Sequence, residues 1–400
     1  MSHARHHARS CFNWVVGAAV LLSAASVVAC SGDRIAQPTS DGDVIPLDDG
    51  SFSAELGKPV PIEFDTYESS RQVVHPSVEQ FPSTWKGQRM WLALTPYPNS
   101  DTRAENPSLY GSDDGDSWIV PSGVTNPVAR TTRGYLSDPD LAFDPATNEL
   151  RLYYREVVEM KRKHRPPRHQ ADIVYLTRST DGVQWSAPKV VVSDMGRFVV
   201  SPAVARRTVG DWKMWSVDAG RAGCNARDTR IILRSSPDGI TWSVPSNVSF
   251  AQPGFVPWHL DVQFVPQLNA YWALVAAYPL GSACTASSLF LATSRDGVKW
   301  TTYASPVLAR GGIPQFSANV YRSTFAFEPS GRGLTIWLTG ATTVQRAGKG
   351  KSPVLRWSAA VWRTQAQALL EHVRLERHAP IVADTEPTFL RRLAIENALP

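Results

Sequence analysis

The sequence predicts an all-β fold, a five-bladed β-propeller, from three observations. One pattern recurs five times at spacings of 58 to 63 residues, with starts at His75, Asp138, Ser201, His259 and Tyr321. Each start is followed 13 to 16 residues later by an aromatic residue in an apolar run: Trp91, Tyr153, Trp215, Trp272 and Trp337. Four of the five units then carry the turn Ser-x-Asp-Gly-x-x-Trp, beginning at Ser112, Ser179, Ser236 and Ser294. Asp-Gly suits such a turn because the carboxylate caps its own backbone and glycine accepts a positive φ. Four turns in phase with five aromatic strands are the signature of radial repetition. The fifth unit has no such turn and carries only Trp362 at the expected distance.

Residues 1–29 begin with Arg5, His6, His7 and Arg9 and continue as an apolar run from Trp14 to Ala29. A basic head and a short apolar core predict a signal peptide, too short for a comfortable membrane span. The run ends Val27-Val28-Ala29-Cys30, which resembles a bacterial lipobox. That resemblance implies cleavage before Cys30, its lipidation, and anchoring in the bacterial cell envelope; Ser31 implies the outer membrane or cell surface. Residues 30–56, rich in Ser, Gly, Asp and Pro, predict a flexible tether. The propeller is then expected over 57–379 and a peripheral segment over 380–400. The stretch from Thr364 to Leu375 reads as a short helix or an outer strand, and a strand to complete the fifth blade comes either from it or from the segment near Val60 to Phe64.

The formal net charge is +5, and Arg5 and Arg9 account for two of it. A balance that small does not argue for a nucleic-acid partner. The one dense basic run, from Lys161 to His169, reads as a solvated loop or as a grip for an acidic sugar, a phosphorylated glycan or lipid headgroups. Of the four cysteines, Cys11 leaves with the signal and Cys30 serves the anchor. Cys224 and Cys284 follow the third and fourth starts by 23 and 25 residues, and a disulfide between them is expected in an oxidising compartment.

In a propeller the first strand of each blade lines the central channel, so the starts bring His75, Asp138, Asp140, His259, Asp261 and Arg322 toward one axis. Glycoside hydrolysis wants two carboxyls about 6.5–9.5 Å apart for inversion. Asp138 and Asp261 can face each other across a channel, and Glu105 reaches in as a candidate acid. His75, Asp140, His259 and Arg322 are candidate substrate contacts, with Trp258 as a stacking platform. The same histidines and aspartates can alternatively hold Ca²⁺ or Zn²⁺, or each histidine can lock neighbouring blades through a backbone carbonyl.

The four turns resemble the Asp-boxes of sialidases and related propellers. The fivefold count and the segment from Ser137 to Asp144 resemble the five-bladed glycoside hydrolases that include arabinanases, xylosidases and fructosidases, over roughly residues 70 to 365. That resemblance implies a carbohydrate-acting protein whose catalytic carboxyls open blades one to three. Asp138 matches the second of these, while His75 stands at the place of the base and Ser201 at that of the acid. Hydrolysis of a glycosidic bond, non-catalytic glycan binding and a structural propeller therefore all remain open, with carbohydrate and membrane as the expected partners.

Overall fold

The structure, a computed structural model, describes residues 56–346 and 352–375. The signal, the Cys30 lipobox, nearly all of the tether and the segment 380–400 lie outside the described residues. The described chain is mostly β-strand and forms five separate antiparallel sheets. Their first strands are Val73–Trp85, Gly134–Asp144, Val199–Thr208 and Phe255–Val265, and in the fifth sheet the pair Asn319–Val320 and Thr324–Phe327.

The recurrent aromatic and the recurrent turn explain each other. In every Ser-x-Asp-Gly-x-x-Trp turn the Ser hydroxyl accepts the glycine N–H at 2.8 Å, and the aspartate accepts the next two N–H groups. The glycine carbonyl of three of these turns receives the recurrent aromatic of another sheet. Trp337 Nε1 donates to Gly115 at 2.8 Å, Tyr153 Oη to Gly239 at 2.8 Å and Trp215 Nε1 to Gly297 at 2.8 Å. Trp91 instead meets Gly182 with the far end of its ring, where a Cβ would come within 2.3 Å of Cη2. The period in the sequence is thus a period of contacts between sheets, and its aromatics are fully buried.

The fifth sheet lacks the turn because its outer strand is not the next segment of chain. Val60–Ile62 pairs with Val354–Gln365, so the outermost strand comes from the N-terminal side of the first sheet. The tail that follows is the helix Ala366–Leu375, and its buried Ala366, Leu369, Leu370 and Val373 pack onto the core of the fourth and fifth sheets. Their i, i+3, i+4, i+7 spacing is that of one helical face.

The first strands share a second device. Two residues beyond His75 and Asp138, and three beyond Tyr321, a short polar side chain takes hold of a neighbouring first strand. Ser77 Oγ accepts Leu141 N–H at 2.9 Å, Asp140 Oδ2 accepts Val204 N–H at 2.8 Å, and Thr324 Oγ1 accepts Val78 N–H at 3.2 Å while donating to Asp261 at 3.1 Å. The equivalent position in the third sheet is Ala203, which has nothing to offer. At that junction, between the third and fourth sheets, Cys224 and Cys284 form a disulfide with Cα atoms 4.9 Å apart.

Candidate functional site

The starts themselves are irregular. Ladder register shifts between Val74 and Ser77, between Ser137 and Asp140, and at the partners of Trp215 and Val217 mark bulges in three consecutive first strands. His75, Asp138 and Ser201 occupy these bulges with φ of +57°, +47° and +55°. A left-handed conformation in a non-glycine residue costs on the order of 1–3 kcal/mol and gathers where side chains must be aimed. A fourth bulge precedes His259.

The bulges bring three of the expected residues together. Asp138 Oδ1 lies 3.4 Å from His75 Nε2 and 3.1 Å from His259 Nδ1, and Asp138 Oδ2 lies 2.9 Å from Arg155 Nε. Ser201 Oγ is 2.5 Å from His259 Nδ1, and Thr95 Oγ1 is 3.2 Å from His75 Nδ1. All three site residues are buried. Burial lowers both imidazoles below the ordinary histidine range, His75 strongly, so they stand neutral. Burial works the other way on Asp138, but His75, Arg155 and His259, in that order, hold its carboxyl well below the usual range.

A cavity of about 230 Å³ opens above this cluster. It is lined by the polar Glu105, Tyr135, Ser137 and Arg155. Aromatic and apolar groups line it as well, Tyr97, Trp258, Tyr321, Trp357 and the Cys224–Cys284 disulfide, with the polar Ser100, Thr102 and Thr285. Burial pushes the Glu105 carboxyl up to about 8 against a hydrogen bond with Ser137. Tyr321 is raised well above the ordinary phenol by burial, and its oxygen accepts the Trp258 indole N–H at 3.2 Å.

Of the residues expected from sequence, His75, Glu105, Trp258 and His259 line this cavity and Asp138 lies against its floor. Asp140, Asp261 and Arg322 do not line it. Arg322 Nη2 donates to Asp140 Oδ1 at 2.6 Å, lies 3.8 Å from Asp261 Oδ1, and is buried with both. They face the opposite ends of the strands, and no geometry puts Asp261 across a cavity from Asp138. Sequence reasoning missed Arg155, Tyr321 as a wall, Tyr97 and Trp357. For Arg155 a signal existed: a lone arginine in the apolar run Leu152-Tyr153-Tyr154-Arg155-Glu156-Val157-Val158.

The residues present fit a metal ion. His75, Asp138 and His259 offer ligand atoms within 4.8 Å of one another. His75 Nε2 and His259 Nε2 are buried with no hydrogen-bond partner. Two neutral imidazoles and one carboxylate match a borderline ion such as Zn²⁺, whereas Ca²⁺ takes six to eight oxygens.

No protein-family model matches the chain. It is similar to the A type blood N-acetyl-alpha-D-galactosamine deacetylase of Flavonifractor plautii, 28% identical over 312 residues that cover 66% of this chain and 39% of that protein. The chain therefore spans about two fifths of that relative's length. In structure it resembles an N-acetylgalactosamine deacetylase from F. plautii crystallised with blood group B trisaccharide, with a TM-score of 0.70, 22% identity, and coverage of 82% of this chain and 100% of that one. A xylan beta-1,4-xylosidase from Bacillus halodurans follows at a TM-score of 0.51 and 14% identity, over 78% of this chain and 57% of that one. The fold is one shared with carbohydrate-acting enzymes.

Proposed function

We propose that the five sheets close as a five-bladed β-propeller with Asp-box-type turns, and that its cavity removes an acyl group from an N-acylated amino sugar by metal-assisted hydrolysis. The observation that carries this reading is the floor of the cavity, where two neutral, partly unpartnered imidazoles flank one ionised carboxylate. His75, Asp138 and His259 would hold the ion, whose chemistry is Lewis-acid polarisation of a carbonyl and acidification of water. Arg155 fixes the Asp138 carboxylate from the side away from the imidazoles. Glu105, with its carboxyl near 8, exchanges a proton around neutrality and serves the departing amine. Tyr321, neutral and accepting from Trp258, keeps its own proton for an oxygen in the cavity. Trp258 and Trp357 give the apolar face of a sugar ring its wall.

Glycosidic hydrolysis, the other reading of the sequence, asks for two carboxyls flanking the scissile bond. Glu105 is on the wall, but Asp138 is engaged by Arg155 and both histidines, and Asp261 is paired elsewhere. The likeness to a deacetylase supports the same choice. The test is acetate release from N-acetylgalactosamine and N-acetylglucosamine glycosides, run beside aryl release from p-nitrophenyl glycosides. Acetate release that stops with a chelator and returns with Zn²⁺ is the expected result; aryl release without acetate would overturn it in favour of a glycosidase.

The arrangement of 1–29 as signal, Cys30 as lipid anchor, 30–56 as tether, 57–379 as propeller and 380–400 as a peripheral segment belongs to the same proposal, with a cell-envelope location. Mass spectrometry of the membrane fraction tests it: a diacylglycerol-modified N-terminal Cys30 is expected, and an unmodified Met1 would refute it.

A further inference from the structure

The second strand of the second sheet runs furthest past the cavity. It ends at Arg162, well beyond Arg155, whereas the second strands of the other sheets end at Pro96, Asp218, Pro279 and Val344, nearer to the residues in the place of Arg155. Glu149–Arg162 carries Arg155 in the cavity wall and runs on, turning at Lys163 and His164 into Arg165–Ser179. Both neighbours fall away along the course. The first strand pairs last at Gly134 with Val158, apart from one bond from Glu159 N–H to Arg133, and the outer strand pairs last at Met195 with Ala171. Beyond them Met160 pairs with Arg168 and Arg162 with Arg165, as a ribbon of two strands alone. At about 3.3 Å per residue, Arg162 stands roughly 20 Å beyond Arg155, on the side where the cavity opens.

Between Met160 and His169 this ribbon holds Lys161, Arg162, Lys163, Arg165 and Arg168, and no acidic residue. Lys163 and Arg168 are exposed. A two-stranded ribbon is marginal by itself, and five like charges make it more so, a cost that an anionic partner removes. We propose that the ribbon binds a polyanionic polysaccharide, carboxylated or sulfated, and that the substrate of the cavity is a unit of such a chain. This rests on the reading of the cavity as a carbohydrate site. A polysaccharide is favoured over a lipid surface because the ribbon rises from the cavity wall itself, so a polymer lying along it can present a residue to the floor.

The test measures binding of the full chain to dextran sulfate, neutral dextran and phosphatidylglycerol vesicles, for the natural protein and K161Q/R162Q/K163Q/R165Q. Dextran sulfate is expected to bind, neutral dextran not, and affinity to fall at least about tenfold between 50 and 200 mM salt, as charge-dominated association does. The quadruple variant is expected to lose at least about tenfold at 50 mM, and K163Q and R168Q, each removing one exposed charge, about two- to threefold, which guards against a misfolded quadruple variant. Equal binding by natural and variant proteins, no binding by either, or binding to vesicles alone would each overturn the proposal. Acetate release from a small neutral aryl N-acetylgalactosaminide is read in parallel and is expected to be the same in all four chains. Its absence from all of them would sink the cavity reading while leaving the ribbon result standing.

Discussion

His75, Asp138 and His259 lie two residues from Ser77, Asp140 and Asp261 on the same strands, and the two layers are equally buried yet differently used. In the far layer every carboxyl has work inside the fold: Asp140 takes Val204 N–H, the Ser77 hydroxyl and Arg322, and Asp261 takes Thr324. In the near layer two imidazole nitrogens lack partners and the backbone is bent to aim them. Buried polar groups are costly unless paired. The far layer also leaves Arg322 Nε without a hydrogen-bond partner, but its carboxyls are engaged and it lies away from the cavity lined by His75 and His259, so the near layer is the candidate for chemistry. Cavity size alone would mislead: a cavity of about 340 Å³ at the far ends of the strands is lined by Glu79 with neutral and apolar residues.

The comparison breaks first if the layers respond alike to mutation. In the near layer His259→Gln is expected to lower deacylation at least about a hundredfold with a small change in thermal unfolding. Asp138→Asn is a less clean probe because it leaves Arg155 without its closest carboxylate. In the far layer Arg322→Ala strands Asp140 and Asp261 together and is expected to cost about 3–5 kcal/mol in urea unfolding. An active, stable Arg322→Ala protein would show that the far layer is not the lock described.

The next effect concerns the junction where Ala203 stands in place of a lock. Replacing Cys224 and Cys284 by serine is expected to cost about 2–4 kcal/mol, read by unfolding with and without reductant. Because the same disulfide forms part of the cavity wall, KM is expected to rise more than kcat falls. A double variant as stable as the parent would mean that other contacts, such as Tyr278 Oη to the Ala226 carbonyl at 2.6 Å, suffice at that junction.

Much of this was legible in the sequence because it repeats. Trp91, Tyr153, Trp215, Trp272 and Trp337 and the four Asp-Gly turns are each local, and their common spacing revealed the sheets. The pairing of Cys224 with Cys284 followed from equivalent places in adjacent units. What spacing did not reveal was depth. His75 and Ser77, or Asp138 and Asp140, look alike along a strand, and only the bulges decide which one meets the cavity. The Thr324 lock lies two residues after Arg322, which sets Tyr321 one place before the residue equivalent to His75, on the cavity wall.

The smallest expected effect separates the two ends by pH. Glu79, at the far end, has its carboxyl pushed up to about 8 by burial, against a hydrogen bond from the Phe143 backbone and with Asp140 nearby. A raised carboxyl keeps in the folded state a proton that the unfolded chain has already lost. Its stabilising contribution is therefore complete below the ordinary value of 4.5 and drains away as pH rises toward 8. Glu79 is only half-buried, so water offsets much of the penalty, and Glu79→Gln is expected to gain on the order of 1 kcal/mol relative to the natural protein between pH 5 and pH 8. Urea midpoints at the two pH values measure it. Glu105→Gln is expected to flatten the same stability slope and, unlike Glu79→Gln, to remove the titration near 8 from the pH profile of kcat/KM, because only Glu105 stands on the wall where the proton is needed.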